Sequence, residues 1–444
     1  MLRGVRAGRC TCAAGGSAKP QRARGSSRAA RPSTTRRALA SPTLEPSRAS
    51  PTEQKPLRLR IDGQWYDVRG WAQAHPGGKH WIEWMNGRDA TGVFYALHSV
   101  GANGSDLAVR RLEKLPRCDP PPSAEMDLPS ARDYATLQGF QELRAQLETD
   151  GWFERNPLQE AWALAQVLGL YAVGTAIAHD QPVLATLALG VGMQQAGWLA
   201  HDYIHGRGKW CEFMRPMGAL LNGHSADWWM QKHSQHHCFT NEEGLDRDIT
   251  MEPFFFLRSP KESGRADSPL RPFQHIYGYP LLSIMFLLWR YHSINHVVER
   301  KDKFEAACLA ANYAWLLFAL PLPVAVGSVF VSGFLVGSLV SATHQSEEIV
   351  PMDSNGAGPD FVEGQFASTR DADAVFGGPE AWLWGGMDTQ LEHHLFPTMP
   401  RYKYHKLRPI LQEWAKAKGV NYRISPSTKI LSDNLETLRR VAAD

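Results

Sequence analysis

The chain has 444 residues, is 43% hydrophobic with 15 Trp, and carries a formal net charge of +3, which suits two or three folded units. The charge is split: residues 1–50 hold 11 of the 48 Lys and Arg and one of the 45 Asp and Glu, so the remaining 37 basic and 44 acidic residues leave the rest at −7. A mildly acidic body offers no continuous basic face to a nucleic-acid backbone, and six scattered Cys without a CxxC pair give neither a disulfide framework nor a thiolate metal site.

Residues 1–50 are rich in Arg, Ser and Ala, nearly free of acid, and lack the apolar core of a secretory signal. They are expected to be an organelle transit peptide, with a solvated disordered leader as the alternative. From 51 to 117 the pattern is that of a small α+β domain. The alternating stretch LRLRIDGQWYDV is followed by His75-Pro76-Gly77-Gly78 and, 23 residues after His75, by His98. A Pro-Gly-Gly turn lets backbone approach a flat ligand while aiming His75 inward, and His98 can close the opposite axial position. Two axial imidazoles leave haem iron no open site, so haem b would serve there as an electron carrier. His80 lies too close to His75 to be the second ligand and is read as solvated. Residues 118–150 form a Pro-rich linker, CDPPPSAEMDLPS, and a polar helix. The tether raises the local concentration of the electron domain at its acceptor.

A membrane domain is expected over 151–425, with a tail over 426–444. Spans are placed at about 161–179, 182–200, 304–322 and 324–343, as two helical hairpins divided at Asp180-Gln181-Pro182 and Pro321-Leu322-Pro323. Residues 306–346 contain no Asp, Glu, Lys or Arg. The shorter run Tyr279–Trp289 suits an interfacial or re-entrant segment. A soluble protein with deeply buried helices is the alternative, but two paired charge-free runs are hard to place in an ordinary core.

Histidines cluster at the ends of these hairpins. His201 and His205 are four apart, on one helical face; His233, His236 and His237 follow; His393 and His394 come far downstream, after Gln390. Seven imidazoles brought to one membrane face by even-numbered crossings exceed what one zinc needs and suit two divalent metals. A haem donor on the same chain implies redox chemistry, which favours iron. Asp246 and Asp248, just beyond the second cluster, are expected to orient ligand imidazoles. His224, His275, His292, His296 and His405 have no such context and are left structural.

The order and spacing of DGQWYDVRGW, HPGG and GRDATGVFYALH resemble cytochrome b5 over about 60 residues. HDYIH, HSQHH and QLEHH resemble the three histidine boxes of membrane fatty-acid desaturases, and the Gln opening the third box resembles the front-end class, whose members carry a cytochrome b5 domain. The resemblance spans residues 57 to about 425. Asp388 and Thr389 depart from the Asn and Tyr usual in that class. Similarity to the wider family implies one further metal ligand after the fourth span, His344, although a His beside Glu347 and Glu348 could equally be an ion-paired surface residue.

The fold this implies is a small α+β haem domain followed by an all-α, polytopic membrane domain with a diiron histidine site. The expected reaction uses O2 and haem-relayed electrons to remove two hydrogens from adjacent methylenes, giving a cis double bond between the carboxyl end and an existing double bond of a polyunsaturated acyl chain. The leader favours a plastid (chloroplast) membrane over the endoplasmic reticulum, and a glycerolipid over coenzyme A; Δ4 or Δ6 of a C16 or C18 chain on galactolipid is the expected position. A diiron acyl hydroxylase or sphingolipid Δ8 desaturase would use nearly the same ligands, and a membrane-anchored haem electron carrier is the non-enzyme alternative. A transporter fits less well, because the polar clusters lie at span ends. No nicotinamide or flavin fingerprint is present, so a separate reductase or ferredoxin-type donor is expected.

Overall fold

The computed structural model describes residues 56–99, 107–122, 131–351 and 360–444; the expected leader at 1–50 lies outside them. Strands β1 (Arg58–Ile61) and β2 (Gln64–Asp67) pair antiparallel, Ile61 opposite Gln64. The two residues between them, Asp62 and Gly63, both have positive φ, the twist that a two-residue hairpin turn requires and that Gly adopts freely. Short helices α1 (Arg69–Ala72), α2 (Lys79–Trp84), α3 (Thr91–Leu97) and α4 (Leu107–Leu112) complete this unit. Leu59, Ile61, Val68, Ile82, Met85 and Val93 form its buried core.

Helix α5 (Ala131–Thr149) leads to α6 (Pro157–Ala176) and α7 (Pro182–His205). Each member of this hairpin starts with Pro in its first turn, where the missing N–H costs nothing, and Asn156 caps α6 by accepting from the Leu158 and Gln159 amides. Next come α8 (Lys209–Asn222), α9 (Ala226–Cys238), α10 (Pro260–Ser263), α11 (Gln274–Leu282) and α12 (Met285–Arg300). The apolar run from Tyr279 is therefore divided between α11 and α12 at Ser283 and Ile284. The second hairpin is α13 (Lys303–Phe318) and α14 (Leu322–Ala342); α13 stops short of the expected 322 because Pro321 disfavours helical backbone in the residue before it. The chain ends with α15 (Phe361–Ser368), β3 (Asp371–Asp373), α16 (Gly378–Trp384), α17 (Gln390–Leu395), α18 (Tyr404–Lys418), β4 (Ile424–Pro426), parallel to β3, and α19 (Ser427–Ala443).

Two of the helices, α7 and α14, are long and apolar enough to cross a membrane by length and composition; at 1.5 Å per residue they measure roughly 36 and 32 Å against a hydrocarbon core of about 30 Å. They pack through small residues. A Cβ on Gly190 would stand 2.5 Å from Val331, and one on Gly327 2.9 Å from Thr186. Since 186 faces 327 and 190 faces 331, the helices run parallel, and their C-terminal ends emerge together. His201 and His205 occupy one of those ends, and His344 follows the other.

Candidate metal centre and haem cavity

Residues four apart share a helix face, while neighbours point about 100° apart. That rule sorts the histidines. On α9, His233 and His237 face the end of α7, whereas His236 turns toward the end of α14; on α17, His393 goes with the first set and His394 with the second. Ring nitrogens of His201, His205, His233, His237 and His393 lie within 4.8 Å of one another, as do those of His236, His344 and His394. The two groups touch where the His237 and His394 rings stack at 4.3 Å.

Oxygen atoms behind the rings fix which nitrogen each presents. Asp246 Oδ2 is 2.8 Å from His236 Nδ1 and also accepts from the Asn241 amide; the Ser368 carbonyl is 3.0 Å from His344 Nδ1, and Gln365 Oε1 is 2.8 Å from His394 Nδ1. With Nδ1 donating in all three, Nε2 is left with its lone pair turned into the second group. Gln390 stands there too, its amide nitrogen 2.9 Å from His344 Nε2 and 3.3 Å from His394 Nε2. Tyr404 OH lies 3.3 Å from His393 Nδ1.

These groups fit metal ions. In the first group Nε2 of His201 and His233 are 2.6 Å apart, Nε2 of His233 and His237 are 3.1 Å apart, and the buried Nε2 atoms of His205 and His393 have no hydrogen-bond partner among the described residues. Converging, unsatisfied imidazole lone pairs are a poor arrangement by themselves and a good one around a divalent ion. Burial and the neighbouring imidazoles hold His233, His237, His393 and His394 well below the ordinary His range, and burial takes His344 down to about 3. All stay neutral at pH 7, the form that binds metal.

His344 is buried rather than ion-paired at the surface; Glu347 pairs instead with Arg370 and Arg423. The expected orienting role divides unevenly. Asp246 is fully buried against His236, while Asp248 lies 3.8 Å from His233 and 4.0 Å from His236 and forms an ion pair with Lys232. His80, expected to be solvated, is half-buried with its ring 4.8 Å from Trp84. Asp388 is buried 3.2 Å from His405, and burial pushes its carboxyl up to about 7. Gln365, Tyr404 and the Ser368 carbonyl were absent from the sequence expectations because nothing local marks them.

The haem ligands expected from sequence meet across a cavity of about 900 Å³ with largely apolar walls, among them Leu59, Val68, Ile82, Val93 and Phe94. His75 Nδ1 is 3.0 Å from the Gly78 carbonyl and His98 Nδ1 is 2.9 Å from the Phe94 carbonyl, so both Nε2 atoms are free to face inward. Burial lowers both rings, His98 to about 4. Their centroids are 6.2 Å apart, close to two metal–nitrogen bonds of about 2 Å plus two ring radii. A Cβ on Gly77 would lie 3.1 Å from the His75 ring, so the Gly is what lets the turn close beneath it. The same cavity reaches Ile204, His205, Met230 and Ser234 beside the metal centre.

Comparison with known proteins matches residues 48–129 to the cytochrome b5-like heme/steroid binding domain and residues 181–426 to the fatty acid desaturase family. Among characterised relatives, a Delta(6)-fatty-acid desaturase of Caenorhabditis elegans is 28% identical over 87% of this chain and 96% of its own length. An acyl-lipid 8-desaturase of Rebecca salina is 28% identical over 87% of this chain and 92% of its own, and a Delta(5) fatty acid desaturase of C. elegans is 26% identical over 88% and 96%. The family match takes in more than half of the polypeptide, and the chain belongs to the fatty acid desaturases, oxidoreductases that here carry a cytochrome b5-like domain on the same polypeptide.

Proposed function

We propose that this protein is a front-end acyl-lipid desaturase, with His201, His205, His233, His237 and His393 holding one iron and His236, His344 and His394, beside Gln390, holding the other. The observation that carries the proposal is the sorting of the box histidines into two adjacent groups of converging ring nitrogens. Iron bound there supplies O2 activation and hydrogen removal from two adjacent methylenes, and haem held by His75 and His98 supplies electrons singly. Asp246, Gln365 and the Ser368 carbonyl hold the ring protons on Nδ1 and so keep the opposite nitrogens available. Trp198, Ile204 and Trp229, all buried next to His201 or on its helix, keep water from a site that must attack an unactivated C–H bond.

Four crossings, by α6, α7, α13 and α14, would place both groups at one membrane face. A plastid membrane is the proposed location, with the endoplasmic reticulum as the alternative, and a separate reductase or ferredoxin-type protein is the proposed electron source. The proposed substrate is a polyunsaturated glycerolipid chain. Of the two positions expected from sequence, Δ6 is the one that appears in the name of a relative given above. Lipid profiling with double-bond location, in a host fed C16 and C18 polyenes, tests this. A new front-end double bond made by the wild type and absent with His393→Ala supports the proposal; a hydroxylated lipid, or no change from a haem-loaded, membrane-inserted protein, would sink it.

A further inference from the structure

The haem cavity is walled by both halves of the chain. His205 ends α7, and two residues later Arg207 also lines the cavity. Its Nη2 donates to the carbonyl of Leu97, the residue before His98, over 3.4 Å. Arg207 is exposed and is one of the residues that border this cavity. It lines the cavity together with His75 and His98 on one side and His205 on the other.

The other cations at this cavity have partners away from the axial pair or are held by more than one group. Arg144 is bound to Glu148 and to the Ala96 carbonyl. Arg215 donates to the carbonyls of Tyr203 and Gly206, and Arg111 lies over the Trp71 ring at 4.3 Å. Glu154 and Glu212 also border the cavity, but neither forms an ion pair with Arg207, which has no carboxylate partner among the described residues. A guanidinium at the edge of a mainly apolar cavity is placed to meet an anion bound inside it. Haem b, the flat group for which the axial pair and the cavity are shaped, carries two carboxylates on one edge. Guanidinium pairs with carboxylate through two parallel, charge-assisted hydrogen bonds.

We propose that Arg207, a residue of the desaturase domain, binds a haem propionate, so that the cytochrome domain's haem is seated by both domains with its propionate edge turned toward His205. The proposal rests on the haem assignment of His75 and His98. It makes Arg207 a positioning residue: it sets how firmly the haem is held and which edge faces the metals, and it takes part in no bond-breaking step.

The test uses the full chain, reconstituted separately with haem and with haem dimethyl ester, whose propionate charges are removed. Haem loss to excess apomyoglobin is followed optically. Wild type should release the ester about tenfold or more faster than haem, the size of one charge-assisted hydrogen bond. Arg207→Gln should release both at the same, faster rate, and Arg207→Lys should recover part of the discrimination. An unchanged bis-imidazole spectrum and iron content in the variants would show that the fold is intact. If Arg207→Gln still discriminates haem from its ester as the wild type does, Arg207 binds no propionate. A wild type showing no bis-imidazole haem spectrum would overturn the haem assignment together with this proposal.

Discussion

The two cofactor regions solve the same problem at different scales. Around His75 and His98 the chain builds a room of about 900 Å³ with apolar walls and touches its occupant with two ring nitrogens. At the ends of α7 and α14 the ring nitrogens gather instead into two groups, each within 4.8 Å, and several are steered by oxygens behind them. A large flat group is recognised mainly by shape, and few side chains are needed to orient it. An ion has almost no shape, so the protein must recognise it by donor direction, which needs a ring of supporting residues.

If the regions are as distinct as this, they should fail separately. His393→Ala removes a nitrogen from the five-imidazole group and should lower desaturation to below about 1% of wild type, with iron per chain reduced and the haem spectrum unchanged. Loss of the haem spectrum in that variant would join the two sites into one folding unit. His98→Ala should do the reverse: haem is lost, iron stays, and turnover falls by about tenfold or more. A separate cytochrome b5 supplied in excess should restore part of that turnover, since tethering contributes only effective concentration.

Smaller effects sharpen the account of the supporting oxygens. Asp246→Asn keeps shape but weakens the acceptor behind His236, and iron affinity should drop about 10- to 100-fold, measurable by competition with a chelator. An unchanged affinity would mean that Asp246 serves the fold alone. The gentlest probe is pH. His98 has a folded pKa of about 4 against an ordinary 6.5, so between those values the unfolded chain binds more protons than the folded one. Stability from the haem domain is therefore complete above about pH 6.5 and is lost as pH falls toward 4. Thermal melts of the haem-free chain should show Tm dropping across that window; a flat profile would contradict the buried, neutral His98.

Much of both sites was legible because it is encoded by short-range spacing. The i, i+4 pairs His201/His205 and His233/His237, and the doublets at His236/His237 and His393/His394, carry their geometry in the sequence once a helix is assumed. The turn at His75-Pro76-Gly77-Gly78 did the same through backbone freedom. The supports were not legible. Gln365 sits on α15, a helix without any histidine, and Ser368 contributes a backbone carbonyl, a group every residue has. Arg207 gains its place only when the two domains pack, a long-range fact with no local pattern. His344 came from resemblance rather than spacing, and its burial depends on α14 running parallel to α7. The end of α13 was misplaced by a few residues because a charge-free run gives composition but no stop signal finer than its prolines.

That parallel pair also sets a tolerance. Gly190 and Gly327 let the two backbones approach closely, and Gly190 lies eleven residues, roughly 16 Å, before His201. His201 and His344 belong to different groups and are carried by different helices, so the gap between those groups depends on how closely the helices meet at glycine, three turns away. The close approach at those glycines thus acts as a lever on the spacing of the two histidine groups. A single added methyl there acts on the site without touching any of its ligands.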